Sequence, residues 1–476
     1  MSGVVQSNDA KFRASSIAHL LLGDVSAKSN TPSSGFATFS PTEKRGGEGA
    51  RWERVATEGE KRGPPDSAQT SPPDNARSAT NRQLTTRRPR APQYRYHSHV
   101  PDLPIYMDHH ATTPVDPRVV EAMLPYFSEF FGNPASLTHA YGKRAAMEVE
   151  DARIVIARFF NVQPGEVYFT AGATESNNIA LNLLASGDHA ITSAMEHKSV
   201  LVPLKRLEKH GVEATMLTPD AEGFINPDEL REAIRPNTKL VSIEAANGEI
   251  GTLQSIDDLG AICRERGVLF HSDITQAAGK VPLDLTNVDL AAFSAHKLYG
   301  PKGIGGMIVR RGIRVEPVML GGGQEKGARS GTVNVPGAVG MAKAFWLREQ
   351  EMAAEGEQLT TLRNELWDRI TSEVPGAYVS GPRERRLPGN LNVAFERVES
   401  DAVMLALRHF ALSSGSACSS GDRSASPVLT AIGVPEGLAF GSIRFGLGKS
   451  NTAEHIATLV DDLKRNIPRL REISAA

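Results

Sequence analysis

The chain has 476 residues, 40% of them hydrophobic and 23% charged, with a formal net charge of −2. That length allows two or three domains, and the composition is ordinary for a soluble globular enzyme. No apolar run approaches the roughly 20 residues of a membrane helix, and the only two cysteines, Cys263 and Cys418, lie too far apart for a CxxC zinc or redox pair.

Residues 1–100 read as a tail. They hold 15 basic and 9 acidic side chains, against 38 and 46 in the remainder. The slightly acidic body argues against nucleic acid as the main ligand. Stretches such as Gly63-Pro64-Pro65-Asp66-Ser67 are polar and rich in proline, and bury too little apolar surface to offset chain entropy. Ser15 to Leu22 has the pattern of a short helix without the arginine-rich, acid-poor character of a transit peptide. Arg87-Arg88-Pro89-Arg90 reads as part of a solvated linker, with an address or a nucleic-acid contact as the alternatives. A cytoplasmic location is expected, mitochondrial only if the tail is a targeting segment.

Order is expected from Ile105-Tyr106-Met107-Asp108 onward. Gly172-Ala173-Thr174-Glu175-Ser176 then precedes an apolar helix, Ile179 to Leu184. Small and hydroxylated residues there suit either ordinary capping or a phosphate seat with Thr174 as donor. A strand, Ala190 to Ser193, leads to His197 and a helix from Ser199 to His210. Leu240 to Glu244 is a second strand, followed by a helix from Ile256 to Arg266 in which Cys263 looks structural. Val268 to Asp273 is a third and Leu290 to Ser294 a fourth. Short apolar strands alternating with amphipathic helices predict a mostly parallel sheet covered on both faces, with ligands at the carboxyl ends of its strands.

Several chemically useful residues fall at those ends. Lys297 follows its strand within Ser294-Ala295-His296-Lys297. A surface lysine is the plain reading. An amine that condenses with an aldehyde, beside Ser294 and His296 as phosphate donors, is the sharper one. Asp273 suits an N-cap, a metal ligand or the partner of a pyridine nitrogen, with Gln276 in reach of a ring hydroxyl. His197 suits a polar loop, or stacking and proton transfer at a flat cofactor. Together these favour pyridoxal 5'-phosphate (PLP), and no metal. The glycines at 300, 303, 305 and 306 open no helix, so they are not a dinucleotide fingerprint.

Downstream, a helix from Leu359 to Ser372, a strand from Asn390 to Phe395 and a closing helix from Ala453 predict a smaller α/β domain. Between them Gly415-Ser416-Ala417-Cys418-Ser419-Ser420-Gly421 carries a thiol with no apolar flank, a candidate nucleophile. Arg444, flanked by apolar residues, suits either a structural ion pair or an amino-acid carboxylate. Gly446-Leu447-Gly448-Lys449-Ser450 lacks the first glycine of a P-loop, where Ile443 stands, and that motif is rejected.

From about Tyr106 to Pro468 the chain resembles the NifS/IscS-type cysteine desulfurases, PLP enzymes of the class V aminotransferase group. The marks are Asp108-x-x-Ala111-Thr112-Thr113-Pro114, Gly132-Asn133-Pro134-Ala135-Ser136, Gly172-Ala173-Thr174-Glu175-Ser176, Ser294-Ala295-His296-Lys297, Gly321-Gly322-Gly323-Gln324-Glu325, Arg329-Ser330-Gly331-Thr332 and Ser414-Gly415-Ser416-Ala417-Cys418. The resemblance implies fold type I, a homodimer, Lys297 as the Schiff-base lysine, Asp273 on the pyridine nitrogen, Gln276 on the ring hydroxyl and His197 stacked. It implies Ala173, Thr174, Ser294 and His296 around the cofactor, Thr332 on the phosphate of the neighbouring subunit and Cys418 as sulfur acceptor. The domains implied are 113–353, large and cofactor-binding, and 101–112 with 354–476, small and carrying the cysteine loop. L-Cysteine would yield L-alanine and a persulfide for iron–sulfur scaffold or tRNA-thiolation acceptor proteins, with no direct nucleic-acid or membrane contact. Selenocysteine lyase or another PLP β-lyase is the alternative within this chemistry, and a weakly active sulfur-assembly scaffold the alternative outside it. One position departs: where the family usually shows a second asparagine before Glu-Ile-Gly, this chain has Gly248 after Asn247, so a side-chain contact to the ring is expected to be missing.

Overall fold

The computed structural model describes residues 103–414 and 425–475. The tail assigned to 1–100 and the Cys418 loop therefore lie outside the described residues. Strand β1 (Ile105–Tyr106) comes first. Seven more strands form the main sheet: β2 (Val167–Thr170), β3 (His189–Ser193), β4 (Glu213–Leu217), β5 (Thr238–Ser242), β6 (Leu269–Asp273), β7 (Leu290–Ser294) and β8 (Gly305–Val309), in the spatial order β2-β8-β7-β6-β5-β3-β4. The run from β4 through β3, β5 and β6 to β7 is parallel, and β8 pairs antiparallel with β7 and β2.

The strand Leu290–Ser294 lies where its apolar run predicts, and buries all five residues. The expected strand Leu240 to Glu244 is displaced to Thr238–Ser242. Ile243 and Glu244 leave the sheet because the chain there turns into the loop that borders the site. Helices Ala173–Leu181, Lys198–Glu208 and Ile256–Glu265 cover the sheet. Cys263 is fully buried in the last of them, and burial pushes its thiol up to about 12.

A second sheet is antiparallel: β9 (Ala377–Ser380), β10 (Asn390–Phe395), β12 (Ser413–Ser414) and β13 (Ser442–Gly446), in the order β12-β13-β10-β9. Strand β11 (Phe410–Ala411) pairs in parallel with β1, which draws the first described residues toward this half. Phe270, Phe293 and Phe345 anchor the core beneath the large sheet, and Met107, Leu366, Phe445 and Leu459 anchor a separate core beneath the small one. Each such side chain contributes about 1.5–3 kcal/mol by leaving water.

The helix expected from Leu359 begins 24 residues earlier, as Val335–Glu373, 39 residues in one element. Its first half is buried among Ala338, Met341, Ala342 and Phe345 and its second half among Leu362, Leu366 and Ile370, so it belongs to both cores. Buried alanines and glycines with no polar face hide the first half from a periodicity argument. Among the described residues no helix is long and apolar enough to cross a membrane, and no three His, Cys, Asp or Glu side chains gather as a metal site.

Candidate functional site

Strands β3, β5, β6 and β7 deliver His197, Gly248, Asp273 and Lys297 from their carboxyl ends into one cleft, which Ala173, Thr174, Gln276, Ser294, His296 and Arg444 also line. Nine of the eleven residues singled out in the sequence thus meet in one place. Cys418 lies outside the described residues. Thr332 sits exposed ahead of the long helix and does not line the cleft of its own chain.

Lys297 leaves the sheet on a short turn, Ala295–Lys297, that ends in strained backbone. Tyr299 adopts φ of 65°, costing about 1–3 kcal/mol. The surroundings hold it there: its N–H donates to Thr113 Oγ1 at 2.8 Å and its hydroxyl to Glu355 Oε1 at 2.6 Å. Lys297 Nζ donates to the carbonyls of His110 at 2.6 Å and Ala111 at 2.8 Å. Burial, and then the Arg444 charge, push its amine down to about 8. Such an amine is neutral, and nucleophilic, far more often at neutral pH than a surface lysine.

Asp273, 7% exposed at the end of β6, accepts from Asn177 Nδ2 at 2.7 Å and from the Thr275 N–H at 3.0 Å. Asn177 Nδ2 also donates to Ser199 Oγ at 2.8 Å, and Ser199 Oγ lies 2.7 Å from His197 Nδ1. The backbone N–H of Ser199 donates to the same Nδ1 at 3.1 Å, because His197 caps its helix. Nδ1 is therefore an acceptor, and the ring carries its proton on Nε2. Desolvation lowers the imidazole pKa, although His197 itself is exposed at the mouth of the cleft. Asn177 was not singled out in the sequence. Its only signal is its place one turn into the helix that starts at Ala173, on the face turned to the sheet.

At the other end of the cleft the helix Ala173–Leu181 begins after Gly172. The Ala173 N–H donates to Ser294 Oγ at 2.8 Å, and His296 Nδ1 lies 3.1 Å from Thr112 Oγ1. Gly172, Thr174, Ser294, His296 and Lys302 border an adjoining open pocket. Backbone N–H groups at a helix start, two hydroxyls and a lysine are the donors an anion requires.

Arg444 Nη2 pairs with Asp108 Oδ1 at 2.8 Å and its Nη1 donates to the Gly248 carbonyl at 3.2 Å, while Nε is buried without a partner among the described residues. The ion pair and the capacity for a further anion therefore coexist in one guanidinium. Asn247 does not stand in for the absent side chain at 248. Its Oδ1 accepts from the Glu249 and Ile250 N–H groups, so its Nδ2 faces Glu244 Oε1, at 2.7 Å.

Two buried acids escaped the sequence reading. Glu196 and Glu244 are 4% and 7% exposed, and Glu196 Oε1 accepts from the Glu244 N–H at 2.7 Å. Burial first, then the neighbouring negative charges, raise both pKa values well above the carboxylate range. Two acids separated in sequence by β4 and β5 carry no local signal of their pairing.

Known proteins place this arrangement. The class-V aminotransferase profile matches residues 105–459. The cysteine desulfurase IscS of Anaeromyxobacter dehalogenans (strain 2CP-C) is 48% identical over 381 residues, 78% of this chain and 94% of that relative. The cysteine desulfurase IscS of Cronobacter sakazakii is 46% identical over 383 residues, 78% and 95% of the two chains. Among solved structures, a NifS-like protein superposes with a TM-score of 0.72 at 35% identity, covering 77% of this chain and all of that one. The structure described as SspA in complex with cysteine gives 0.64 at 37% identity, covering 72% and 99%.

Proposed function

The chain belongs to the class-V aminotransferase family, in which it is a cysteine desulfurase, and from that premise we propose that PLP is its cofactor, Lys297 the amine that carries it and Cys418 the thiol that takes sulfur from L-cysteine. The observation that carries the reading is Lys297 itself, a half-buried amine pushed down to about 8 in the same cleft as Asp273, His197 and Arg444. The donors and acceptors that line the cleft fit the cofactor. The Ala173 helix start with Thr174, Ser294 and His296 suits the phosphate, Asp273 the ring nitrogen, Gln276 the ring hydroxyl, and the neutral His197 ring a stacked face.

PLP, when bound, supplies an aldehyde carbon for the imine and a ring that withdraws electrons from the substrate. The protein's own groups do the rest. Asp273, fixed by Asn177 and Thr275, keeps a proton on the ring nitrogen. Arg444, set by Asp108 and the Gly248 carbonyl, orients the substrate carboxylate. Lys297, released as incoming cysteine takes its place, removes the Cα proton at Nζ. His197 holds a proton at Nε2 for return to the substrate. The Cys418 thiolate would attack the substrate sulfur; the S–S bond forms as the Cβ–S bond breaks, the electron pair stays with Cβ, and Cβ takes up a proton equivalent to the one the thiol lost, leaving alanine and a persulfide.

The same reading proposes a large domain at 113–353 and a small one at 101–112 with 354–476, supported by the two separate cores. A homodimer is supported by the exposed apolar side chains Leu124, Phe127, Phe131 and Leu137, more than an isolated surface usually shows in one segment. Thr332 would then reach the partner's phosphate seat. Iron–sulfur scaffold or other sulfur-acceptor proteins, in the cytoplasm, would draw on the persulfide.

Borohydride reduction followed by peptide mapping tests the assignment. The pyridoxyl group is expected on the Lys297 peptide alone, and Lys297→Ala should lose about 10²–10⁴-fold or more in alanine production. A reduced adduct on another lysine, or normal turnover by Lys297→Ala, would overturn it.

A further inference from the structure

The glycine at 248 raises the question of what fills the space a side chain would take. Gly248 does not have a left-handed backbone, so its conformation admits any residue. Its surroundings do not. A Cβ there would lie 2.6 Å from Gln276 Nε2 and 2.9 Å from Gln276 Cδ.

Three hydrogen bonds fix Gln276 in that space. Its Nε2 donates to the His110 carbonyl at 3.0 Å. A carbonyl only accepts, so the amide orientation is settled and Oε1 faces the other way. Oε1 accepts from Lys280 Nζ at 2.9 Å and lies 3.2 Å from His110 Nδ1. Nδ1 also lies 3.5 Å from Lys280 Nζ, a longer and weaker contact than the one to Oε1; because Oε1 is also only an acceptor, the closer contact is a hydrogen bond when Nδ1 carries the ring proton. The opposite nitrogen, Nε2, is then bare, and among the described residues it is buried without a partner in a ring 3% exposed. Burial first, and then the charges of Lys280, Arg444 and Lys297, oppose a second proton on this ring.

We propose that His110 is a positioning residue of the site: as the neutral Nδ1–H form it holds Gln276 in the space that Gly248 leaves open. The Gln276 N–H not engaged by the His110 carbonyl is thereby kept for the cofactor's ring oxygen. Only this last step rests on the PLP reading above. His110, Gln276 and Gly248 act as one unit, and the side chain absent at 248 is replaced by one reaching across from the helix-side turn after β6.

Histidine-labelled, cofactor-free protein tests the unit directly by nuclear magnetic resonance, with His110 assigned by its loss in His110→Asn. The Nδ1–H tautomer is expected at pH 7; the Nε2–H tautomer or an imidazolium would overturn the proposal. In Gly248→Ala the new Cβ should dislodge Gln276, change the His110 signals and lower the thermal midpoint by about 2–6 °C. Unchanged signals and midpoint would again overturn it. In the loaded enzyme, His110→Leu should shift the visible absorption band and weaken PLP binding, while His110→Asn, which keeps a donor near Nδ1, should restore both. Equal behaviour of Leu and Asn would show that His110 merely fills space. The first two readouts need no cofactor, so a wild-type protein that bound no PLP would overturn the reading of the cleft while leaving them to be decided separately.

Discussion

Asp273 and the Glu196–Glu244 pair lie close together, and they differ in the donors that face them. Asp273 accepts from Asn177 Nδ2 and the Thr275 N–H. Glu196 and Glu244 have one another, and no cation is hydrogen-bonded to either. An acid whose folded pKa is raised binds its proton more tightly folded than unfolded. The stability this gives is complete below the unfolded carboxylate value and is lost as pH rises toward the raised folded one. Glu244→Gln keeps an acceptor for Asn247 and removes one titrating group, so it should flatten that loss. We expect its thermal midpoint to exceed that of the wild type at pH 8.5 and to approach it at pH 5. A midpoint lower than wild type at both values would contradict the buried-acid account.

At the scale of elements, the loop from Asn247 to Leu253 is the piece that the small sheet grips. Arg386 donates through Nε to the Ile250 carbonyl at 3.1 Å, and its Nη2 reaches both Ile250 and Ser380 carbonyls. Asn390 Nδ2 adds contacts to the Gly248 and Glu249 carbonyls, each at 3.3 Å. The Gly248 carbonyl in turn sets Arg444. Arg386→Leu leaves two buried carbonyls without donors, a loss of about 1–3 kcal/mol each. It should lower the thermal midpoint and raise KM for cysteine more than it lowers kcat; a changed kcat with KM intact would contradict this linkage. Parts of this arrangement were legible beforehand. Strand ends could be read because short apolar runs stop at polar residues, which is how Asp273, His197 and Lys297 were found. Asn177, Glu244 and Arg386 were not found, because their partners lie on other elements and nothing local distinguishes them from ordinary polar residues. The front half of the long helix was missed because burial on all sides erases helical periodicity.

For the whole molecule, the decisive claims join parts that no single chain brings together in the described residues. If Thr332 completes the partner's phosphate seat, Thr332→Val should weaken PLP binding by roughly 10- to 100-fold, the equivalent of about 1.5–3 kcal/mol for a charge-assisted hydrogen bond. A hybrid dimer of one Thr332→Val chain and one Lys297→Ala chain has a single lysine-bearing site, which borrows an intact Thr332. That site should hold PLP with near wild-type affinity, and weak binding there would show that Thr332 serves its own subunit. The central claim, that sulfur passes from cysteine to Cys418 under the control of Lys297, has a direct measurement. Protein exposed briefly to L-cysteine, alkylated and digested should show a mass gain of one sulfur atom on the Cys418 peptide, none on the Cys263 peptide, and none anywhere in Lys297→Ala. Sulfur on Cys263, or an undiminished alanine yield from Cys418→Ser, would contradict it.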